Sequence, residues 1–323
     1  MTNIKDIALA AGVTVTTVSR VLNNHPYVSN EKRVAVQAVI KQLNYTPNAS
    51  AISLKKQKTN AIAVIVPMID HPFFSTLIEG MAASALEDNY HLILCQREDS
   101  LEKEWQYLSL LKKRQVDGIV IGGLIQSWDN IYPISQFGPV VLCNEYEADS
   151  NAPSIYMNHY KGAYIGMEHL INQGYRKIAV CISPPSMLSN DRERACRQAM
   201  ADHQLEANWF YSTTHSILDG EIIVDEIIKS TNPPDAIFTG SDQLAAGIIY
   251  AAEKNGIRIP QDLAVMGFDN QPIAQALTIS TINQPIKELG YKSIKMIIKL
   301  INGEELKDQT IELPYTLIKR NST

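Results

Sequence analysis

From Ala61 to Ile301 the chain alternates short apolar runs with amphipathic stretches, and this alternation restricts the fold more than any other feature. The strand candidates are Ala61–Val66, Leu92–Cys95, Gly118–Gly122, Val140–Cys143, Ile155–Met157, Ile178–Ile182, Ala236–Thr239 and Leu263–Phe268. Helical periodicity falls between them, at Phe74–Asn89, Glu102–Arg114, Tyr160–Asn172, Asp191–His203, Gly220–Lys229, Asp242–Asn255 and Ile286–Ile301. Such alternation requires right-handed crossovers, parallel strands and helices on both sheet faces. Residues 61–323 exceed what one core of this kind holds, so an α/β body of two lobes is expected.

Ligands of such folds lie outside the carboxyl ends of the strands. The residues there are Asp70 to Phe74, Gly122, Asn144, Asp191 to Arg194, Ser241, Asp242 and Asp269. Carboxylates, amides, a hydroxyl and arginine beside Phe73 and Phe74 suit a polyhydroxylated ligand, whose hydroxyls need donors and acceptors and whose ring needs an apolar cover. Taken singly, each such residue can equally be the cap of the next helix.

Residues 1–46 follow a different period. Asn3 can cap a helix through Ile4, Ile7, Ala8 and Ala11, and Gly12 supplies a turn. Thr14 then caps a second helix, Val15 to Leu22, with Val18 and Val21 inward. Ser29 caps a third, Glu31 to Leu43, whose Val34, Ala38 and Leu43 are expected in the core. A second helix that exposes Val15, Thr16, Ser19 and Arg20 near its start is the helix–turn–helix arrangement in which base edges are read in a DNA groove.

Charge agrees. Residues 1–60 hold eight Lys/Arg and two Asp/Glu, and the rest of the chain holds 21 and 32. A basic head on an acidic body is the footprint of a chain that meets phosphate only through its head. Between them, Asn48 to Lys56 has helix-forming small residues but only Ile52 and Leu54 as large apolar groups. Alone it is too short for a stable helix. Two readings stay open: a flexible basic spacer, or a helix paired with a second copy that wedges Leu54 into the minor groove.

Several classes are excluded by what the sequence lacks. No run of about eighteen apolar residues exists, and the N-terminus has no signal-like apolar core. Cys95, Cys143, Cys181 and Cys196 lack metal-ligand spacing and suit buried reduced thiols, so a cytoplasmic protein without metal or cofactor is expected. The glycines fit no nucleotide loop, and neither Gly-x-Ser-x-Gly nor His-Glu-x-x-His occurs, so no enzyme is expected.

Over essentially its whole length the chain resembles the LacI/GalR family of bacterial transcriptional regulators. The motifs that carry this are Ile4-Lys5-Asp6-Ile7-Ala8, Gly12-Val13-Thr14, Thr17 to Asn23, Leu43 to Asn48, Val116-Asp117-Gly118-Ile119, Ser241-Asp242 and Gly267-Phe268-Asp269-Asn270. Within the family, Asn24 to Ser29 and Gly138 to Val141 look most like the catabolite-control protein B type.

The resemblance implies a helix–turn–helix head at 1–46, a hinge helix and linker at 47–60, and a two-lobed effector and dimerisation body of periplasmic-binding-protein type at 61–323. It implies a homodimer on a pseudo-palindromic operator. Val15, Thr16 and Arg20 fall on base-reading positions, Thr14, Thr17, Ser19, Asn23, Tyr45 and Asn48 near phosphates, and Leu54 in the minor groove. The effector positions fall on Phe73, Thr76, Asn144, Arg194, His215, Ser241, Asp269 and Gln284.

Two departures bear on the ligand. Sugar-binding members continue from the effector arginine to a Gly–aromatic pair, where this chain has Arg197-Gln198, and His215 stands where an aromatic or acid often flanks the sugar. Arg197 turned inward would favour a sugar phosphate, and Arg197 on the solvent face is the preferred reading. The leading expectation is therefore a repressor gated by a sugar-like effector. The alternatives are a catabolite-control regulator gated by a phosphorylated carrier protein and a cytosolic sugar-binding protein.

Overall fold

The computed structural model describes residues 3–45, 58–147, 150–182, 187–211 and 217–323. The chain divides into two compact units, Met1–Thr59 and Asn60–Thr323. Asn48, Leu54 and His215 lie outside the described residues.

The first unit is three helices, α1 (Ile4–Ala10), α2 (Val15–Leu22) and α3 (Asn30–Gln42). Asn3 and Asp6 form a reciprocal capping box on α1, and the Thr14 side chain accepts from Thr17 N to start α2. Gly12 turns the chain at φ 64°, a conformation that costs glycine nothing. Ile7, Ala8, Val18, Val21 and Val36 form the core. The expected contribution of α3 is corrected: Val34, Ala38 and Leu43 are exposed, and Val36, Val39 and Ile40 face inward. Those three share the i, i+3, i+4 face, about 200° away from Val34 and Ala38, which lie two residues off.

The second unit contains two six-stranded sheets. Sheet A has the order β11-β5-β4-β3-β1-β2. Its strands are β1 (Ala61–Val66), β2 (His91–Gln96), β3 (Gly118–Ile121), β4 (Val140–Cys143), β5 (Ser154–Met157) and β11 (Thr310–Leu313). Sheet B has the order β12-β10-β9-β8-β6-β7. It comprises β6 (Ile178–Cys181), β7 (Phe210–Tyr211), β8 (Ala236–Thr239), β9 (Ala264–Asp269), β10 (Ser280–Asn283) and β12 (Thr316–Ile318). Every described pairing is parallel except β10 with β12. The helices are α4 (Pro72–Glu87), α5 (Leu101–Lys112), α6 (Trp128–Ser135), α7 (His159–Asn172), α8 (Met187–Asp202), α9 (Asp219–Lys229), α10 (Asp242–Lys254), α11 (Pro272–Ala276) and α12 (Ile286–Ile301).

Both sheet faces are covered, as near-continuous apolar strands require. On β1, Ile62, Val64 and Val66 pack with Leu77, Met81 and Leu289, while Ala63 and Ile65 pack with Leu108 and Leu111. On sheet B, Val180, Phe238 and Met266 meet Ala195 and Ala199, and Ile237 and Val265 meet Ile223 and Ile248. Helices α4 and α12 touch backbone to backbone. A Cβ on Gly80 would overlap the Lys287 carbonyl, and one on Gly290 the Leu77 carbonyl.

The chain crosses between the lobes three times: after β5 at Asn158, after β10 at Gln284-Pro285, and between β11 and β12 at Pro314-Tyr315. The four cysteines are free and buried, and burial pushes the Cys95 and Cys143 thiols up to about 11 and about 12. No helix among the described residues is long and apolar enough to cross a membrane.

Candidate functional site

On the head, α2 buries Val18 and Val21, leaving Arg20 exposed and Ser19 half-buried between them. Val15, Thr16 and Arg20 are exposed, and neither the Thr16 nor the Arg20 side chain bonds to another described residue. Thr14 Oγ1 lies 3.0 Å from Thr17 Oγ1 and accepts from Thr17 N at 3.2 Å, so both hydroxyls are ordered at the helix start. Asn23 Nδ2 donates to Ser19 O at 2.7 Å and closes the helix end. Tyr45 packs against the head core. The result is a small ordered polar face around a guanidinium with no partner among the described residues, which suits base reading.

In the body, polar groups converge at the carboxyl ends of both sheets and at two of the three crossings. Asp269 ends β9 at φ 108°, an uncommon conformation for any residue but glycine, which marks a position held by its surroundings. Its carboxylate accepts from Gln271 Nε2 at 3.0 Å and from Gln284 Nε2. Gln271 in turn accepts from Gln243 Nε2 at 3.0 Å. Burial pushes the Asp269 carboxyl up to about 7, and Arg192 and the two amides oppose that rise. Gln284 Oε1 is buried and has no hydrogen-bond partner among the described residues. An orphaned buried acceptor costs about 1–3 kcal/mol unless something external donates to it.

Across the first crossing, Asn144 and His159 are bonded through Oδ1 and Nε2 at 3.0 Å. Asn144 adopts φ 67°, which asparagine tolerates. His159 Nδ1 accepts from Arg192 Nε at 3.2 Å and Nη2 at 3.0 Å, and Arg192 Nη1 donates to Gly240 O at 2.7 Å. The guanidinium lies 4.1 Å over the Phe268 ring, on which His159 also stacks. Burial, aided by Arg192, holds His159 well below the usual histidine range.

Arg194 is corrected as an effector residue. It is 69 % exposed at its side chain and paired with Asp191 at 3.2 Å. With Tyr160, Arg197, Gln198 and Ala201 it lines a surface groove of about 510 Å³. The cause is helical phase. Arg192, Ala195, Cys196, Ala199 and Met200 form the buried stripe of α8, and Arg194 is about 200° from it. Arg192, only 9 % exposed, is the arginine that faces Asp269. Arg197 likewise points outward, paired with Glu193 at 2.7 Å and 3.6 Å over the Phe210 ring.

Phe73 is buried edge-on to Phe74 at 5.0 Å, and Thr76 is half-buried one helical turn on. Ser241 caps α10 by accepting from Leu244 N at 3.3 Å, so its hydroxyl has a structural task. Asp242 accepts from Gln271 N at 2.6 Å and Thr281 Oγ1 at 2.7 Å and is raised to about 8 by burial. Sequence reasoning missed His159, although it follows Asn158 directly at a strand end, where the other candidates were sought.

The comparisons with known proteins agree with this anatomy. Residues 3–48 match the profile of bacterial regulatory proteins of the lacI family, and residues 59–321 that of periplasmic binding proteins and the sugar binding domain of the LacI family. The NTD biosynthesis operon regulator NtdR of Bacillus subtilis (strain 168) is 44 % identical over 329 residues, with all of both chains covered. Catabolite control protein B of the same strain is 34 % identical over 301 residues, covering 93 % of this chain and 95 % of that one. A crystal structure of the Lac repressor bound to ONPG in the repressed state superposes with a TM-score of 0.88 at 25 % identity, covering 100 % of this chain and 99 % of that one. With a DNA-binding head at one end and a sugar-binding type of body filling the rest, the chain belongs to the LacI family of bacterial transcriptional regulators.

Proposed function

We propose that this protein is a homodimeric repressor that binds a pseudo-palindromic operator and is gated by a sugar-like effector held between the lobes of its body. Residues 1–46 read DNA, 47–60 form the hinge, and 61–323 bind effector and partner copy. The observation that carries the effector reading is the convergence of Asn144, Asp269 and Gln284 at the lobe crossings, with the buried Gln284 Oε1 left for a ligand. In this reading Phe73 and Thr76, at the start of α4, line the sheet A side of the cleft, Arg192 the sheet B side, and Ser241 shapes it as a cap.

For the dimer, the supporting surface is apolar and exposed. The edge strand β2 presents Ile93 and Leu94, with Leu86 (78 % exposed) nearby in sequence, and Leu218, Ile222 and Tyr250 are exposed at α9 and α10. An exposed apolar edge strand is a hazard unless a second surface covers it.

On DNA, Val15, Thr16 and Arg20 read bases, Val15 through apolar contact with a thymine methyl. Thr14, Thr17, Ser19, Asn23, Tyr45 and Asn48 hold register on phosphates, and Leu54 enters the minor groove. Arg20→Ala is expected to weaken specific operator binding by about 1–3 kcal/mol and non-specific binding far less. Parallel titrations with operator and scrambled duplex at one salt concentration measure this, and equal losses would reduce Arg20 to a phosphate contact.

The effector reading is tested by melting the protein against sugars, sugar phosphates and a phosphorylated carrier protein. A ligand at about a hundred times its Kd stabilises by roughly 2.7 kcal/mol. A shift produced by the carrier protein alone would replace the sugar-like effector. Asp269→Ala is expected to remove that ligand-induced shift while operator binding persists, and an intact shift would displace the cleft assignment.

A further inference from the structure

The Asn144–His159–Arg192 chain leaves its polar atoms little freedom. Arginine only donates, so the two contacts from Arg192 Nε and Nη2 require a bare His159 Nδ1. The ring proton therefore sits on Nε2 and donates to Asn144 Oδ1 at 3.0 Å. With its oxygen held by the Nε2 proton, the Asn144 amide is oriented so that its Nδ2 hydrogens stay free, and no other described residue accepts them. On the other side, Asp269 accepts from Gln284 Nε2, which turns Gln284 Oε1 away from it without a partner. Each amide thus has one orientation, set by a group behind it.

We infer that His159 is a positioning residue that fixes Asn144 as a hydrogen-bond donor to the effector, which must present an acceptor to Asn144 and a donor to Gln284. This rests on the cleft reading above and narrows its ligand class. Hydroxyls meet both demands. The oxygen of an ionised phosphate or carboxylate meets only the first, and against Gln284 Oε1 it would leave two acceptors facing each other. The effector accordingly presents a donor such as a hydroxyl at Gln284, and no anionic oxygen there. His159 touches Asn144, Arg192 and the Phe268 ring, and it acts through Asn144.

The test needs no ligand, so its failure is separable from a failure of the cleft reading, which the Asp269→Ala response measures. Histidine ring nitrogens of the full chain, labelled with nitrogen-15, are followed by NMR from pH 8 to pH 6. The His159 signals are assigned by their absence in His159→Phe. The expected spectrum has an unprotonated Nδ1 and a protonated Nε2 throughout. A proton on Nδ1, or titration near the free imidazole value of about 6.5, overturns the inference. Two variants separate orientation from packing. Asn144→Asp keeps an acceptor at Nε2–H, and Asn144→Leu removes it. Exchange of the Nε2 proton with water should quicken about tenfold in the leucine variant and stay near the parent rate in the aspartate variant. Equal rates in the parent and both variants overturn the inference.

Discussion

Arg192→Ala is expected to cost the body roughly 3 kcal/mol, whereas Arg194→Ala changes stability by no more than about 0.5 kcal/mol. Removing Arg192 strips the donors from His159 Nδ1 and Gly240 O, both buried, and leaves the Asp269 carboxyl without its nearby positive charge. Each orphaned polar group costs about 1–3 kcal/mol. The guanidinium's stack on Phe268 goes as well, leaving a void in a close-packed core. At roughly 2–4 °C per kcal/mol for a unit of this size, the melting temperature should fall by about 6–12 °C. Arg194 loses an exposed pair with Asp191 and a surface contact 5.5 Å over the Tyr160 ring, and such exposed contacts contribute little. Thermal melts of both variants decide the matter, and a larger loss for Arg194 would reverse the phase assigned to α8. The Arg192 variant should also lose effector response.

Gly290→Ala is the more severe change despite adding one methyl group. Its Cβ would occupy the position of the Leu77 carbonyl oxygen, and backbone cannot rotate aside as a side chain does. Gly80 meets the Lys287 carbonyl in the same way, so α4 and α12 have no slack on either side. Forcing them apart would also open the core around Leu77, Met81 and Leu289. The expected cost exceeds about 4 kcal/mol, in the range of severe overpacking, and should appear as lost cooperative unfolding or lost soluble protein. Gly303→Ala is the contrast. Nothing lies within 4 Å of its Cβ, and its φ of 75° carries only a backbone penalty of about 1–2 kcal/mol. Similar melting temperatures for the two variants would refute the backbone contact.

Where periodicity and capping agreed, the sequence was sufficient. Thr14 as the cap and Val15–Leu22 as the helix appear in the structure as read, because the cap residue and the buried valines are all local signals. Strand β10 was illegible for the opposite reason. Ser280, Thr281 and Asn283 look like a loop, and they are tolerated in a buried strand only because distant groups satisfy them: Ser322 and Thr323 for Ser280, Asp242 for Thr281. Helix α6 was hidden by its internal Pro133, which reads as a breaker. At the site, the strand-end rule reached Asn144, Asp269 and the stretch Asp191 to Arg194. Choosing within that stretch needed the phase of α8, which turns Arg192 inward toward Asp269 and leaves Arg194 at the surface. Ser241 took the capping role that any serine after a strand can take.

The backbone contact between α4 and α12 also has a mechanical meaning. Two helices without slack, one of which follows a crossing from the other lobe, turn the lobe built on sheet A into a stiff arm. Bending is then confined to the three strands of chain that join the lobes, and His159 and Gln284 sit beside two of them. A ligand bound at the proposed site would sit at the fulcrum. A small displacement at such a point becomes a large one at the far end of a stiff arm, so a ligand held there would be placed to move the lobe as a unit.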